Sequence, residues 1–125
     1  MIFSGPLNTG VAAGGAGVAT ANATSSHPLH GFIAGVYIRY NDSPPAGTTD
    51  VTIATAGNGS PAYTLLTLTN AATDGLFMVR DNPVDTAGAS LATTWENIPI
   101  ADNVKVTIAQ ANNSDSVDIW LLLIE

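Results

Sequence analysis

The segment 30–40, His-Gly-Phe-Ile-Ala-Gly-Val-Tyr-Ile-Arg-Tyr, constrains the fold most, because its only turn-forming residues are two glycines. Its side chains alternate with a period of two, the period of a β-strand. One predicted face carries Phe32, Ala34, Val36, Ile38 and Tyr40, and the other carries Ile33, Tyr37 and Arg39. Both faces are largely apolar, so we expect a central strand with one face in a core and the other against a second layer or another subunit.

The glycines of this segment, Gly31 and Gly35, lie inside the predicted strand. A glycine there usually marks a bend, a bulge or the close approach of another backbone. We therefore expect the strand to be irregular at one of these features.

Shorter strands are predicted in the rest of the chain, at residues 50–56, 62–69, 76–80, 103–110 and 116–124, with a weaker one within 17–24. The Asn-Gly-Ser-Pro turn at 58–61 predicts a hairpin between two of them, and residues 111–115 predict a second hairpin between the last two. No stretch of twelve residues keeps a helical period with caps. The pattern of seven or eight short strands predicts an all-β fold, an antiparallel β-sandwich or jelly-roll-like domain.

Residues 1–26 differ from the rest of the chain in composition, because glycines and alanines dominate them. We expect an extended Gly/Ala-rich N-terminal arm here, followed by a single β-sandwich domain over residues 27–125. Ile2, Phe3 and Leu7 are apolar residues on this arm. They either anchor it on a neighbouring subunit or fold back onto their own domain.

Charge is scarce in this chain, at 10% of residues against 46% hydrophobic, whereas charged residues ordinarily make up about 25%. Its surface must be covered by Ser, Thr, Asn and Gly, or by other subunits. Three basic residues and a net charge of -7 disfavour nucleic acid and anionic membranes as partners, since both bind through Lys and Arg. The absence of cysteine removes disulfides and thiolate metal sites.

Catalytic and metal-binding patterns are weak. His27 and His30 stand three residues apart, a spacing that sends them to opposite faces of a strand, and no cysteine can complete a zinc site. We therefore predict neither an enzyme nor a bound cofactor or metal.

A possible sugar-binding loop is formed by two short stretches, which contain Asp81, Asn82, Trp95, Glu96 and Asn97. An aromatic ring can stack on the apolar face of a sugar while carboxylates and amides bond its hydroxyls. The alternative is structural, with Trp95 closing one end of the sandwich.

Four segments resemble small virion proteins of tailed bacteriophages, of the capsid decoration or cement type: Asp50-Val51-Thr52-Ile53, residues 61–70 with Leu65-Leu66-Thr67, residues 73–80, and residues 99–106 leading into Ala109-Gln110-Ala111. The resemblance covers residues 30–125. It implies a β-sandwich protein, often a homotrimer, that sits on the outer capsid surface and clamps neighbouring major capsid subunits.

The functional expectation that follows is a structural virion protein whose partners are the major capsid protein and other copies of itself. Ile2, Phe3, Leu7, Tyr37 and Arg39 are its predicted subunit or capsid contacts. The N-terminus has no basic segment and no continuous apolar core, so we expect synthesis in the host cytoplasm without a signal peptide. The alternative expectation is a carbohydrate-binding module of a head fibre or tail.

Overall fold

The computed structural model describes residues 1–41 and 45–124. Within these ranges the chain is all-β, and no helix is long and apolar enough to cross a membrane. Nine strands follow in chain order: β1 (Ile2–Asn8), β2 (Ala19–Thr24), β3 (Leu29–Tyr40), β4 (Asp50–Thr55), β5 (Thr64–Leu68), β6 (Gly75–Met78), β7 (Ile98–Asp102), β8 (Val104–Ala111) and β9 (Val117–Ile124).

The strands form two antiparallel sheets. The five-stranded sheet has the order β1-β9-β3-β6, with β7 also paired to β3, and the four-stranded sheet has the order β2-β8-β4-β5. Side chains from both sheets, such as Ile38 and Ile119 from one and Ile53 and Ile108 from the other, form one buried cluster. The predicted all-β sandwich is therefore confirmed, whereas the jelly-roll connection is not.

The central strand is β3, as predicted, because it pairs with β9 along one edge and with β7 and then β6 along the other. The prediction of its faces is wrong at the start. The register with β9 shifts between Ile33 and Gly35, and such a bulge exchanges the two faces of the strand. Ile33 is consequently fully buried in the core, while Phe32 is half exposed.

Both glycines of β3 allow another backbone to approach closely, as expected. A Cβ on Gly31 would lie 2.8 Å from the carbonyl oxygen of Ile124, and Gly31 has a φ of +128°. A Cβ on Gly35 would lie 3.0 Å from the carbonyl oxygen of Phe77. Neighbouring strands therefore leave little room for a side chain at either glycine.

Residues 1–26 contribute one strand to each sheet, so an extended arm is not confirmed. β1 pairs with β9 and β2 pairs with β8. Leu7 packs against the core, and Ala12 and Ala19 belong to it. Small residues suit this segment where it lies close to other backbone, since a Cβ on Gly14 would lie 2.9 Å from the Cα of Ala19.

The predicted hairpin between the last two strands is wrong, whereas the hairpin of β4 and β5 is confirmed. β8 lies in the four-stranded sheet and β9 in the other, so residues 112–116 cross from one layer of the sandwich to the other. Asp115 supports this crossing by accepting a hydrogen bond from the backbone N–H of Asn112 at 2.8 Å.

Candidate functional site

The outer side of the five-stranded sheet is apolar. Strand register places residues that face each other across two strands on the same side of a sheet. Phe3 pairs with Leu122, Tyr37 with Trp120, and Phe32 with Ile124. Leu76 and Met78 pair with Tyr37 and Gly35. The outer apolar face is defined by Phe3, Phe32, Tyr37, Leu76, Met78, Trp120, Leu122 and Ile124.

Five side chains of this face are open to solvent. Phe3, Phe32, Leu76 and Met78 are each about half exposed, at 49–56%, and Tyr37 is 36% exposed. At roughly 200 Å² for each free side chain, these five residues expose on the order of 500 Å² of largely apolar surface. The largest apolar patch of a typical soluble monomer covers about 300–600 Å² and often has a function.

The outer side of the four-stranded sheet has the opposite character. One row across it consists of Asn22, Thr107, Thr52 and Thr67, which are neighbours in register on β2, β8, β4 and β5. Hydroxyl and amide groups of this kind are well solvated. The two layers therefore share a core but present different outer surfaces, one suited to water and one suited to a contact.

An open depression of about 330 Å³ lies in the outer apolar face, and Phe3, Tyr37 and Trp120 line it. The rings of Tyr37 and Trp120 meet edge to face, with centroids 5.8 Å apart and an angle of 64° between their planes. This arrangement is favourable for aromatic pairs, so it holds both rings in fixed positions. The depression is a largely apolar recess lined by three aromatic side chains.

One ion pair borders the recess. The Arg39 guanidinium donates to the Asp118 carboxylate at 2.7 Å and also lies over the Trp120 ring, 5.0 Å from its centroid. The Asn8 amide donates to the other Asp118 oxygen at 2.6 Å. Burial alone would raise the pKa of Asp118, but the hydrogen bonds from Asn8, Arg39 and Asn41 and the Arg39 charge outweigh it and lower that pKa. Asp118 is therefore a charged, paired group.

The predicted contact residues divide into two groups. Phe3, Tyr37 and Arg39 lie side by side on the outer side of the five-stranded sheet. Leu7 is turned inward and packs against the core, and Ile2 shares its side of the sheet with the buried Leu123, although it is half exposed beyond the edge.

Sequence reasoning missed Trp120, Leu76 and Met78 as members of the face. The alternation of β9 carries a signal for Trp120, since it points away from Val117, Ile119 and Leu121. That alternation indicated burial on both sides, because apolar side chains on an outer face look the same in sequence as those in a second core.

Four of the five predicted sugar-binding residues line a second depression, of about 250 Å³. Asp81, Asn82, Glu96 and Asn97 share its lining with Pro83, Ile98 and Pro99, so its surface is largely apolar. The backbones of Asp81 and Glu96 hydrogen bond to each other in both directions at 2.9 Å, which brings the two stretches together. Trp95 is 55% exposed, so it does not close the end of the sandwich, and it is not among the lining residues.

One buried carboxylate elsewhere serves the fold. Asp102 is 2% exposed and accepts hydrogen bonds from the backbone amides of Gly57, Asn58 and Asn103 and from the Ser60 hydroxyl. Burial alone would raise the pKa of Asp102, but these hydrogen bonds outweigh it and lower that pKa. The carboxylate thus fastens the β4–β5 turn to the end of β7.

No cluster of three or more His, Cys, Asp or Glu side chains that could hold a metal ion is found in residues 1–41 and 45–124. Comparison with protein-family models, curated proteins and solved structures gives no match to this chain. Its function is therefore inferred from its surfaces.

Proposed function

We propose that this chain is a structural virion protein that binds the outer surface of a phage capsid and stabilises the contacts between major capsid subunits. In this proposal it acts as a homo-oligomer, and its mechanism is thermodynamic. A protein that binds only the assembled shell stabilises that shell by about 2.7 kcal/mol per site when its free concentration is 100 times the Kd.

The observation that supports this role is the difference between the two outer surfaces of the sandwich. The face with Phe3, Tyr37 and Trp120 is exposed and apolar, whereas the opposite face carries a row of threonines. Aromatic residues, methionine and arginine are enriched at the centres of protein interfaces. A subunit that buries one face against other subunits is expected to have one apolar and one polar outer surface.

The test is binding to purified phage capsids that lack this protein, followed by thermal denaturation of the shells. We expect the protein to sediment with the capsids and to raise their melting temperature. A variant with the exposed Thr67 of the polar face changed to Glu serves as a matched control and is expected to act like the wild type. Failure of the wild type to sediment with capsids would refute the role.

A second candidate function is carbohydrate binding at the second depression. It is supported by the grouping of Asp81, Asn82, Glu96 and Asn97 around one recess, and by the exposure of Trp95 nearby. The ring of Trp95 is exposed and can stack on a sugar, and the carboxylates of Asp81 and Glu96 and the amide of Asn97 supply acceptors and donors for its hydroxyls. The Asn82 amide already donates to the carbonyl oxygens of Leu91 and Thr94.

A glycan array separates this candidate from the first. If it is correct, the wild-type protein binds a defined set of glycans and Trp95→Ala loses that binding. Leu91→Ala is the control, because Leu91 is an exposed apolar residue of the same loop, at 42%. Absence of glycan binding by the wild type, or equal loss in both variants, would count against a sugar site at Trp95.

A further inference from the structure

We propose that the outer apolar face pairs with the same face of a second copy of this chain. The two copies are related by a two-fold axis that lies in the interface, parallel to the strands and above the line between β9 and β3. This pairing rests on the proposed role of the face as a protein contact, and it names the occupant. A two-fold interface must be complementary to itself, since each copy presents the same patch. The arrangement of side chains across the face meets this condition row by row.

The first row contains Phe3, Leu122, Gly35 and Met78, in the order β1, β9, β3 and β6. Rotation about the proposed axis reverses this order in the second copy. Met78 of one copy then faces Phe3 of the other, and Leu122 faces Gly35. Leu122 thus meets a position that has no side chain of its own, between Met78 and Leu76, whose Sδ and Cδ1 atoms would lie 3.3 and 3.4 Å from a Cβ on Gly35.

The second row repeats this relation. Trp120 pairs with Tyr37, and Tyr37 with Leu76, while Gly5 of β1 lies beside Trp120, since a Cβ on it would be 3.2 Å from the Trp120 Cα. After rotation Leu76 faces Gly5 and Tyr37 faces Trp120. The exposed Leu76 and Met78 of one copy then fill the recess between Phe3, Tyr37 and Trp120 of the other.

The third row provides matching charges. Asp118 of β9 pairs in register with Arg39 of β3, so the rotation places Arg39 of one copy over Asp118 of the other. Asp118 is the only acidic residue on the outer side of the five strands, and Arg39 pairs with it. The charges of this carboxylate and this guanidinium cancel each other. The face itself therefore adds no like-charge repulsion when two copies of a chain with a net charge of -7 meet here.

The area of the face agrees with a pair. The five most exposed side chains together with the partly buried Trp120, Leu122 and Ile124 offer about 600 Å² per copy, or about 1,200 Å² in total, which is the lower limit of a standard-size interface. Two sheets that pack face to face lie about 10 Å apart, so the pair would form a four-layer sandwich with the threonine rows on the outside.

The first test is the solution mass by light scattering, with circular dichroism to check that each variant folds. We expect twice 12.7 kDa for the wild type and for Thr67→Glu, and a monomer for Met78→Glu. A monomeric or trimeric wild type would overturn the pairing, and so would a Met78→Glu variant that keeps the mass of the pair.

The second test uses the absence of cysteine from the chain. In a protein with Phe3→Cys and Met78→Cys, three strand spacings of about 4.8 Å separate the two positions within one copy, and their side chains lie parallel to each other. The proposed axis places each position opposite the other in the second copy, where the sheets lie about 10 Å apart and the side chains point toward each other. This spacing is too wide for a disulfide, which needs Cα atoms within about 7 Å, so the test uses a short bifunctional thiol reagent that spans the gap between the sheets and cannot span the distance within one copy. The reagent should link two copies covalently.

The control is a protein with Asn22→Cys and Thr67→Cys, which lie equally far apart in one row of the polar face. We expect no linking in this control or in either single variant of the test pair. Equal linking of both pairs would overturn the pairing. Capsid binding is scored separately: a monomer that binds capsids refutes the pairing alone, and a pair that ignores capsids refutes the proposed function alone.

Discussion

The Tyr40 hydroxyl offers a sharp test of the core. Tyr40 is 8% exposed, and its hydroxyl oxygen has no hydrogen-bond partner among the described residues. A buried hydroxyl without a partner costs about 1–3 kcal/mol by mutational measurements. Tyr40→Phe removes the hydroxyl and keeps the ring, so we expect the free energy of unfolding to rise by about 1–2 kcal/mol.

Tyr63→Phe is the matched control, because the Tyr63 hydroxyl donates a hydrogen bond to the carbonyl oxygen of Pro99. Tyr63 is 39% exposed, so loss of this bond should lower the free energy of unfolding by only about 0.5 kcal/mol. The same chemical change is thus expected to have opposite effects at the two positions.

Urea unfolding at one fixed protein concentration measures both variants, since an oligomer's stability depends on concentration. A gain of 1–2 kcal/mol corresponds to a rise in Tm of roughly 3–8 °C for a chain of this size. If Tyr40→Phe unfolds at lower urea than the wild type, the hydroxyl has a stabilising partner and the reasoning fails.

The free energy of unfolding at alkaline pH provides a second measurement on the same residue. Burial, and to a lesser extent the charge of Asp74, raise the pKa of Tyr40 from 10.0 to about 12. The folded state therefore keeps this proton at a pH where the unfolded state releases it. The free energy of unfolding is therefore independent of this proton below pH 10 and falls as the pH rises from 10 toward 12, and Tyr40→Phe should remove this part of the decline.

Two further predictions concern the backbone at Gly31 and the stability of the fold at acid pH. Gly31→Ala should lower the free energy of unfolding measured in urea by about 1–3 kcal/mol, because its φ is +128° and its new Cβ would lie 2.8 Å from the Ile124 carbonyl oxygen. Gly47→Ala is the control, since nothing lies within 4 Å of its Cβ, and it should be near neutral. Equal effects of the two substitutions would contradict the clash at Gly31. The lowered pKa of Asp102 means that its contribution is present above its ordinary value of 3.8 and is lost as the pH falls through the folded value, so urea midpoints measured from pH 5 to pH 2 should fall less steeply for Asp102→Asn than for the wild type.

Most strands could be predicted from the alternation of side chains, because β3, β4, β8 and β9 each place apolar residues on a period of two. β7 was missed because Pro99 interrupts it within five residues. β1 was missed because Gly5 and Pro6 conceal its pattern, although its register with β9 includes Phe3 and Leu7.

The alternation of side chains does not show which strands pair, in which register, or in which sheet. Gly35 marks an irregularity in β3, but nothing in the residue types shows that the register shift between Ile33 and Gly35 exchanges the two faces of the strand. Likewise, the turn residues at 111–115 suit a hairpin and a crossing between sheets equally well. Of the candidate face, Tyr37 and Arg39 followed from the pattern, whereas Leu76 and Met78 depend on β6 pairing with β3.

The position of β9 between β1 and β3 has a consequence for the order of folding during synthesis. Residues 2–8 are made early, yet their hydrogen-bonding partner is residues 117–124. The ribosome must therefore release almost the entire chain before the five-stranded sheet can close, and pairings so distant in sequence form slowly. Until then the apolar strand β3 lacks the neighbour along one edge that later covers it, and the nascent chain needs protection from aggregation during this interval.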